Sequence, residues 1–293
     1  MPRIAYLGPE GTFTEAALLK ISASGLVPGS ASSDGITPIP TDSTPAALAA
    51  VRSGDADYAC VPIENSIEGS VLPTLDNLAT GTPLQIFAEL TLDVSFTIVV
   101  RQGTPVSKVE TVAAFPVAAA QVRNWLAEHL PHARVVPANS NAAAANDVSN
   151  GRADAGISTA LAAERYGLTA LATNVVDEPN ARTRFVLAGQ PAPLPAPTGA
   201  DRTSVVLWLD NVPGALVSAL TEFAIRDIDL TRIESRPTRK ELGTYIFFVD
   251  CVGHIDDEPV AAALKALDVR CADVRYLGSW PTGVAAQLRE GKP

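Results

Sequence analysis

The run Asn180-Ala181-Arg182-Thr183-Arg184-Phe185 sets an amide, a hydroxyl and two guanidinium groups directly ahead of the apolar segment Val186-Leu187-Ala188. It follows Asp177-Glu178-Pro179, and the proline biases Glu178 away from helix. In an extended chain, alternation sends Thr183 and Phe185 to one face and Arg182 and Arg184 to the other. One face then suits an aromatic or cyclic ligand with an oxygen to bind. The plain alternative is a strand start whose arginines pair with surface carboxylates.

A second polar cluster closes another apolar run. Tyr58-Ala59-Cys60-Val61-Pro62-Ile63 reads as a strand that stops in Glu64-Asn65-Ser66-Ile67-Glu68-Gly69-Ser70. Ligands of open α/β sheets bind at strand C-terminal ends, so the two carboxylates there can do acid-base work or simply cap the helix that follows. Near the N-terminus, Ile4-Ala5-Tyr6-Leu7, Gly8-Pro9-Glu10-Gly11 and Thr12-Phe13-Thr14 give a strand, a tight turn and a hydroxyl-capped helix start. That geometry can bind an anion or be an ordinary strand-to-helix turn. Gly8 and Gly11 do not make G-x-G-x-x-G, and no Gly-Lys-Ser/Thr follows, so no nucleotide is indicated.

The chain of 293 residues is 47% hydrophobic, enough for one full core and for two or three units. Its formal charge of -10 argues against nucleic-acid and anionic-membrane partners, which need a basic surface. An anionic small molecule can still be held by local donors and helix N-termini. Cys60, Cys251 and Cys271 sit in or near apolar runs and read as buried reduced thiols, which suggests the cytoplasm. His129, His132 and His254 show no zinc spacing and read as surface histidines, so neither metal nor other cofactor is expected. No export leader or membrane-length apolar run is expected.

The elements that must position these groups follow in order. Residues 22–40 read as a Ser/Gly/Pro-rich loop, 45–52 as a helix and 71–78 as another, and 84–100 is β-rich and leads into a second lobe. There Thr111 to Ala114 reads as a strand, Phe115-Pro116 leads into a helix with Gln121, Val122 and Trp125, Asn139-Ser140-Asn141 caps an alanine-rich helix, and Ser158-Thr159 caps another. Val175-Val176 brings the chain back to the first lobe, leaving a cleft between two crossings. Pro191, Pro193, Pro195 and Pro197 make a stiff linker between two units that each look complete. Beyond it the order βαββαβ is that of a ferredoxin-like plait, followed by a tail from Pro281 that is expected to be mobile.

Taken together, Gly8-Pro9-Glu10-Gly11-Thr12-Phe13-Thr14, Val61-Pro62-Ile63-Glu64-Asn65-Ser66 with Glu68-Gly69, Asn180-x-x-Thr183-Arg184-Phe185, Gly214-Ala215-Leu216 and Glu234-Ser235-Arg236-Pro237 resemble the bacterial prephenate dehydratase family over nearly the whole chain. The resemblance implies a two-lobed α/β catalytic domain, like type II periplasmic binding proteins, at residues 1–190. Lobe 1 would be about 1–90 and 174–190, and lobe 2 about 91–173. A linker at 191–200, a ferredoxin-like ACT regulatory domain at 201–280 and a tail at 281–293 would follow. It implies conversion of prephenate to phenylpyruvate without a cofactor, regulation by L-phenylalanine, and a homodimer or homotetramer. Arogenate as substrate, and a non-enzymatic amino-acid sensor, stay open as alternatives.

Carried over position by position, the resemblance makes Thr183, Asn65 and Gln121 catalytic and puts Ser140, Arg184, Phe185, Thr12, Glu64 and Ser66 around the substrate. Glu64 is a candidate proton relay, while core packing is the ordinary fate of Phe185 and Phe13. The phenylalanine site would comprise Asn211, Gly214, Ala215, Leu216, Glu234, Ser235, Arg236 and Pro237, at a seam between two subunits. Two departures stand out: Phe115-Pro116-Val117 lies where relatives often carry His-Pro-Gln, and Asn141 lies where a threonine is common, so Asn141 is given only a capping role.

Overall fold

The computed structural model describes residues 1–30 and 35–282; the expected tail lies, past Thr282, outside them. Strand β1 (Arg3–Leu7) turns into helix α1 (Phe13–Ala23), capped by Thr12. Then come β2 (Thr37–Thr41), α2 (Thr44–Ser53), β3 (Tyr58–Asn65), the two-residue β4 (Gly69–Ser70), α3 (Leu72–Ala79) and β5 (Gln85–Asp93). The second lobe holds β6 (Phe96–Val100), β7 (Thr111–Ala114), α4 (Pro116–Gln121), α5 (Arg123–His129), β8 (Arg134–Pro137), α6 (Asn141–Ser149), β9 (Ala155–Ser158), α7 (Ala160–Arg165) and β10 (Thr169–Val175). Strand β11 (Arg182–Gly189) then returns to the first sheet, in the order β2-β1-β3-β11-β5 with β4 paired to β3. The second sheet runs β10-β6-β9-β7-β8.

Two of these strands give little sequence signal. The prolines of β2, Thr-Pro-Ile-Pro-Thr, make it read as loop, and the fold tolerates them because β2 is an edge strand paired only to β1. Strand β10 is likewise an edge, with two register shifts against β6. The single helix expected through Gln121 and Trp125 is broken at Val122 (φ −128°) into α4 and α5.

The C-terminal domain contains β12 (Asp201–Trp208), α8 (Ala215–Ala224), β13 (Leu230–Pro237), β14 (Tyr245–Val252), α9 (Glu258–Arg270) and β15 (Asp273–Pro281). Its sheet order, β13-β14-β12-β15, is that of the expected plait. One face carries the two helices; the other lies on the first lobe. Val206, Ile246, Phe248, Leu277 and Trp280 share one buried cluster with Ile86, Val186 and Ala188. At Gly278 (φ +139°) the backbones of β15 and β5 come so close that a Cβ would stand 2.3 Å from the Ile86 carbonyl oxygen.

The proline linker is stitched to both sides. Gln85 Nε2 donates to the Ala192 carbonyl at 3.0 Å and Gln190 Nε2 to that of Val51 at 3.1 Å. His254, expected at the surface, is fully buried. Its Nδ1 accepts the Asp256 N–H, so Nε2 carries the proton and donates to the Pro195 carbonyl at 3.1 Å. Cys60 and Cys251 are buried free thiols, while Cys271 is half-buried.

Candidate active site

Asn65 ends β3 with its side chain turned back on the chain. Its Oδ1 accepts the backbone N–H groups of Ile67 (2.8 Å) and Glu68 (2.9 Å), an Asx turn that reverses the chain into β4. Ser66 then fastens the start of β11: its Oγ accepts the Arg182 N–H at 2.9 Å and donates to the Asn180 carbonyl at 3.3 Å. Asn180 sits at φ +74°, a region asparagine enters more readily than most residues. Antiparallel pairing thereby sets Thr183 opposite Asn65 and Arg184 opposite Glu64.

Across the first pair, Asn65 Nδ2 donates to Thr183 Oγ1 at 2.9 Å. Two backbone donors already fix Oδ1, so the amide has one orientation, and Thr183 is the acceptor. The hydroxyl proton of Thr183 has no acceptor among the described residues and is free to be given away. Thr183 itself is only 9% exposed.

The second lobe approaches from across the cleft. Thr159 Oγ1 donates to the Gly11 carbonyl at 2.6 Å, and the rings of Phe13 and Phe96 meet edge to face at 5.7 Å. Gly11 (φ +88°) packs on α7, where a Cβ would stand 2.9 Å from that of Ala162, and against Ala142 of α6. Glu15, 1% exposed, accepts the Gly11 N–H and is paired with Arg165. Gln121 ends α4, and its carbonyl accepts the Asp177 N–H of the returning segment at 2.7 Å. Its Oε1 is buried without a partner, and so are Asn141 Oδ1 and the Tyr6 hydroxyl. A buried polar atom with no partner costs about 1–3 kcal/mol, which marks these atoms as places where a ligand can bind. Ser140 caps α6 by accepting the Ala143 N–H at 2.9 Å, so capping falls to Ser140 and leaves the Asn141 side chain uncommitted.

Several expected substrate contacts are placed elsewhere. Arg184 and Glu64 lie on the sheet face opposite Thr183, because successive strand residues alternate. The Arg184 guanidinium meets Glu64 at 2.9 Å, Glu89 at 3.2 Å and Asp250 of the C-terminal domain at 2.8 Å. Burial alone would lower its pKa, but Asp250, then Glu89 and Glu64, outweigh burial and push it up. Asp250 shows the mirror effect: burial works to raise its pKa, while Arg232 and Arg184 hold it well below the carboxylate range. Phe185 is core, packed with Ile4, Tyr6, Leu18 and Leu187. The Thr12 hydroxyl is used up as a cap, donating to the Leu7 carbonyl and accepting the Glu15 N–H. Ser66 is engaged in fastening the strand.

The expected effector residues divide in the same way. A cavity of about 140 Å³ is lined by Asn211, Ala215 and Leu216 together with Tyr245 and Phe247. Gly214 (φ +84°) opens α8, which has no side-chain cap, so amides of its first turn remain for a ligand or water. Along β13, Ser235 and Pro237 are exposed, while Glu234 and Arg236 turn the other way, onto the first lobe. Glu234 accepts from Ser70 Oγ at 3.0 Å, and Arg236 holds Asp76 through two 2.9 Å bonds, with Arg239 on the same acid. Within one chain those two side chains bind the neighbouring domain, not the cavity. Sequence reasoning missed Asp76, Glu89, Arg202, Arg232 and Asp250; the one available signal was a lone acid inside the apolar strand Ile246-Phe247-Phe248-Val249-Asp250-Cys251, which has to find a partner.

Comparison with known proteins matches this geometry. A family model described as prephenate dehydratase covers residues 4–193, and one described as ACT domain covers residues 203–269. A prephenate dehydratase of Mycobacterium sp. (strain JLS) is 76% identical over 100% of this chain and 98% of its own. Among solved structures, the prephenate dehydratase of Arthrobacter aurescens in complex with L-Phe superposes with a TM-score of 0.86 at 44% identity, covering 95% of this chain and 90% of that one. GqqA, described as a novel type of quorum quenching acylase, superposes at 0.84 with 30% identity, covering 96% and 98%.

Proposed function

The chain belongs to the prephenate dehydratase family, hydro-lyases that carry prephenate to phenylpyruvate, and on that premise we propose how its residues divide the work. The reaction releases the ring carboxylate as carbon dioxide and the ring hydroxyl as water, consumes one proton at the departing oxygen, and is driven by aromatisation. The observation that carries the reading is the Thr183 hydroxyl, which accepts from Asn65 and keeps its own proton free. Thr183 donates that proton toward the leaving hydroxyl. An alcohol cannot stay deprotonated near neutral pH, so the proton is replaced through water.

The Arg184 geometry fits the same chemistry. The ring carboxylate loses charge on the way to the transition state, so an arginine upon it would favour the ground state. Arg184 is engaged on the far face. The pyruvyl carboxylate goes to the first turn of α6 beside Ser140 and Asn141, and the Gln121 amide, either end of which can serve, orients the ring hydroxyl or a carboxylate. Amide hydrolysis, the chemistry in the name of the acylase relative, needs a base for its nucleophile. The side-chain partner of Thr183 is an amide that donates, which favours dehydration.

L-Phenylalanine is the proposed effector, with its side chain in the cavity beside Ala215 and Leu216 and its carboxylate at the start of α8. Pockets that enclose a drug-sized ligand run to ~300–1,000 Å³, so a cavity of about 140 Å³ falls short of enclosing one and suits completion by a second subunit. The exposed Ile233, Tyr245 and Val212 lie on the same domain, which supports a homodimer or homotetramer. Cytoplasmic placement is proposed from the biosynthetic relatives; among the described residues no helix is long and apolar enough to cross a membrane.

Phenylpyruvate formation from prephenate and phenylalanine formation from arogenate, measured side by side, test the function. Faster turnover of prephenate is expected, and it should persist after dialysis against chelator. Turnover of arogenate alone would reassign the substrate, and turnover of neither would favour the sensor.

A further inference from the structure

We propose that Asp250, in the C-terminal domain, is a positioning residue for the dehydration, acting through Arg184 on the strand that carries Thr183. The proposal rests on the reading of Thr183 and Asn65 as the groups at the reacting centre. Those two residues lie beyond an irregularity in the ladder. Arg184 pairs with Glu64 but Phe185 pairs with Pro62, so Ile63 is left over and the backbone register slips between core and site. The β11–β5 ladder runs unbroken past this point, so the slip loosens only the β3 side, and there a side chain holds the two strand ends together. The Arg184 guanidinium bonds Glu64 on the neighbouring strand, one residue before Asn65, and so ties together the two strand ends that carry the Thr183–Asn65 pair.

The position of that guanidinium is set from the other domain. Asp250 is fully buried and accepts from Arg184 (2.8 Å), from Arg232 (2.9 and 3.1 Å) and from Ser204 Oγ (2.6 Å). Glu89 completes the cluster, accepting from Arg184, Arg202 and Trp280 Nε1. Three arginines and three carboxylates balance, and Asp250, the acid contributed by the C-terminal domain, accepts four side-chain bonds to the three of Glu89. Without the charge of Asp250 the guanidinium keeps only Glu89 and Glu64, and as it shifts toward them it will carry Glu64 and the end of β11 with it. A displacement of about 1 Å at a reacting group can cost on the order of 10²-fold in rate.

The test is Asp250→Asn in the full chain, read as separate kcat and KM values, with Ile246→Ala as the control. Ile246 lies in the apolar seam between the same two domains and contributes nothing to the ion cluster. Asp250→Asn should lower kcat by roughly 10-fold to 10²-fold with KM changed less than about twofold, while Ile246→Ala lowers the melting temperature but keeps kcat. If both variants melt lower and both keep kcat, Asp250 is structural only and the proposal fails. Should Asp250→Asn not fold, Ser204→Ala removes one support of the acid without removing its charge. A kcat loss of about threefold is then expected, and unchanged kcat overturns the proposal. Thr183→Ala separates the premise: if it keeps kcat, the reading of Thr183 is wrong, and if it loses kcat while folded Asp250→Asn does not, only the positioning role is wrong.

Discussion

Asn65 gives its side-chain amide to Thr183 Oγ1 at 2.9 Å while its own oxygen is held by two backbone N–H groups, so the threonine has one direction left in which to act. Asn65→Asp keeps the turn, because a carboxylate still accepts from Ile67 and Glu68. It removes the donor and sets a negative charge beside a dianionic substrate. Steady-state kinetics should show kcat lower by roughly 10²-fold with a raised KM, and Thr183→Ala should lose at least as much kcat with little change in KM. Near-normal kcat in either folded variant would remove that residue from the mechanism.

The cavity proposed for the effector offers a more local test. Ala215→Phe fills the space lined by Leu216, Tyr245 and Phe247 and touches nothing in the cleft. Calorimetry should find phenylalanine affinity weakened by about 10-fold or more, equal to some 1.4 kcal/mol, with uninhibited turnover retained. Unchanged affinity would place the effector elsewhere.

Ending the chain near Pro195 looks harmless from the composition of the linker, since each side seems complete. The structure predicts a failed fragment. Ile86, Val186 and Ala188 would lose the cover of Phe248, Leu277 and Trp280, and large apolar side chains contribute about 1.5–3 kcal/mol each when buried, against a total stability of about 5–15 kcal/mol. Arg184 and Glu89 would also lose buried partners. Circular dichroism of the truncated chain should show an aggregated or partly folded product. A monodisperse fragment with native turnover would refute this.

Stability should be flat near neutral pH and fall on both sides. Burial, reinforced by Asp250, pushes the Cys251 thiol to about 12, and burial also raises Cys60 and pushes Cys271 to about 11. These folded pKa values lie above the unfolded ~8.5, so their contribution is complete below pH ~8.5 and is lost as pH rises toward the folded values. Asp250 is depressed below the unfolded ~3.9, so its contribution holds above that and is lost as pH falls. Melting temperatures across pH should trace this plateau, and at pH 8 a thiol reagent should leave Cys60 and Cys251 unlabelled. A melting temperature that climbs between pH 9 and 10.5 would contradict the burial of these thiols.

Alternation along a strand is legible in the residues themselves, and it suffices to put Thr183 and Arg184 on opposite faces. What each face meets is not. Arg184 has the local setting of a carboxylate ligand because its partners lie far away in sequence, at Glu89 and Asp250, and nothing nearby announces them. Glu234 and Arg236 read as effector ligands by motif; their acceptance of Ser70 and grip on Asp76 depend on how two sheets stack. His254 misleads because a histidine beside acids in a turn has the composition of a surface, while its burial follows from the linker folding back over it. The strands β2 and β10 are hidden because edges tolerate prolines and irregular pairing.

Gly278 lets the two sheets touch backbone to backbone, with no room for even a methyl group against Ile86. A regulatory module added late by recombination would meet its host through side chains that adjust, and could be exchanged for another of its kind. This one cannot be exchanged freely. A transplanted ACT domain would need a glycine at that place on its last strand and a buried acid at the place of Asp250, or the host sheet would be pried open at the first and left with unpaired charge at the second. Replacing the regulatory half of this chain would therefore reshape the sheet that carries Thr183 as well.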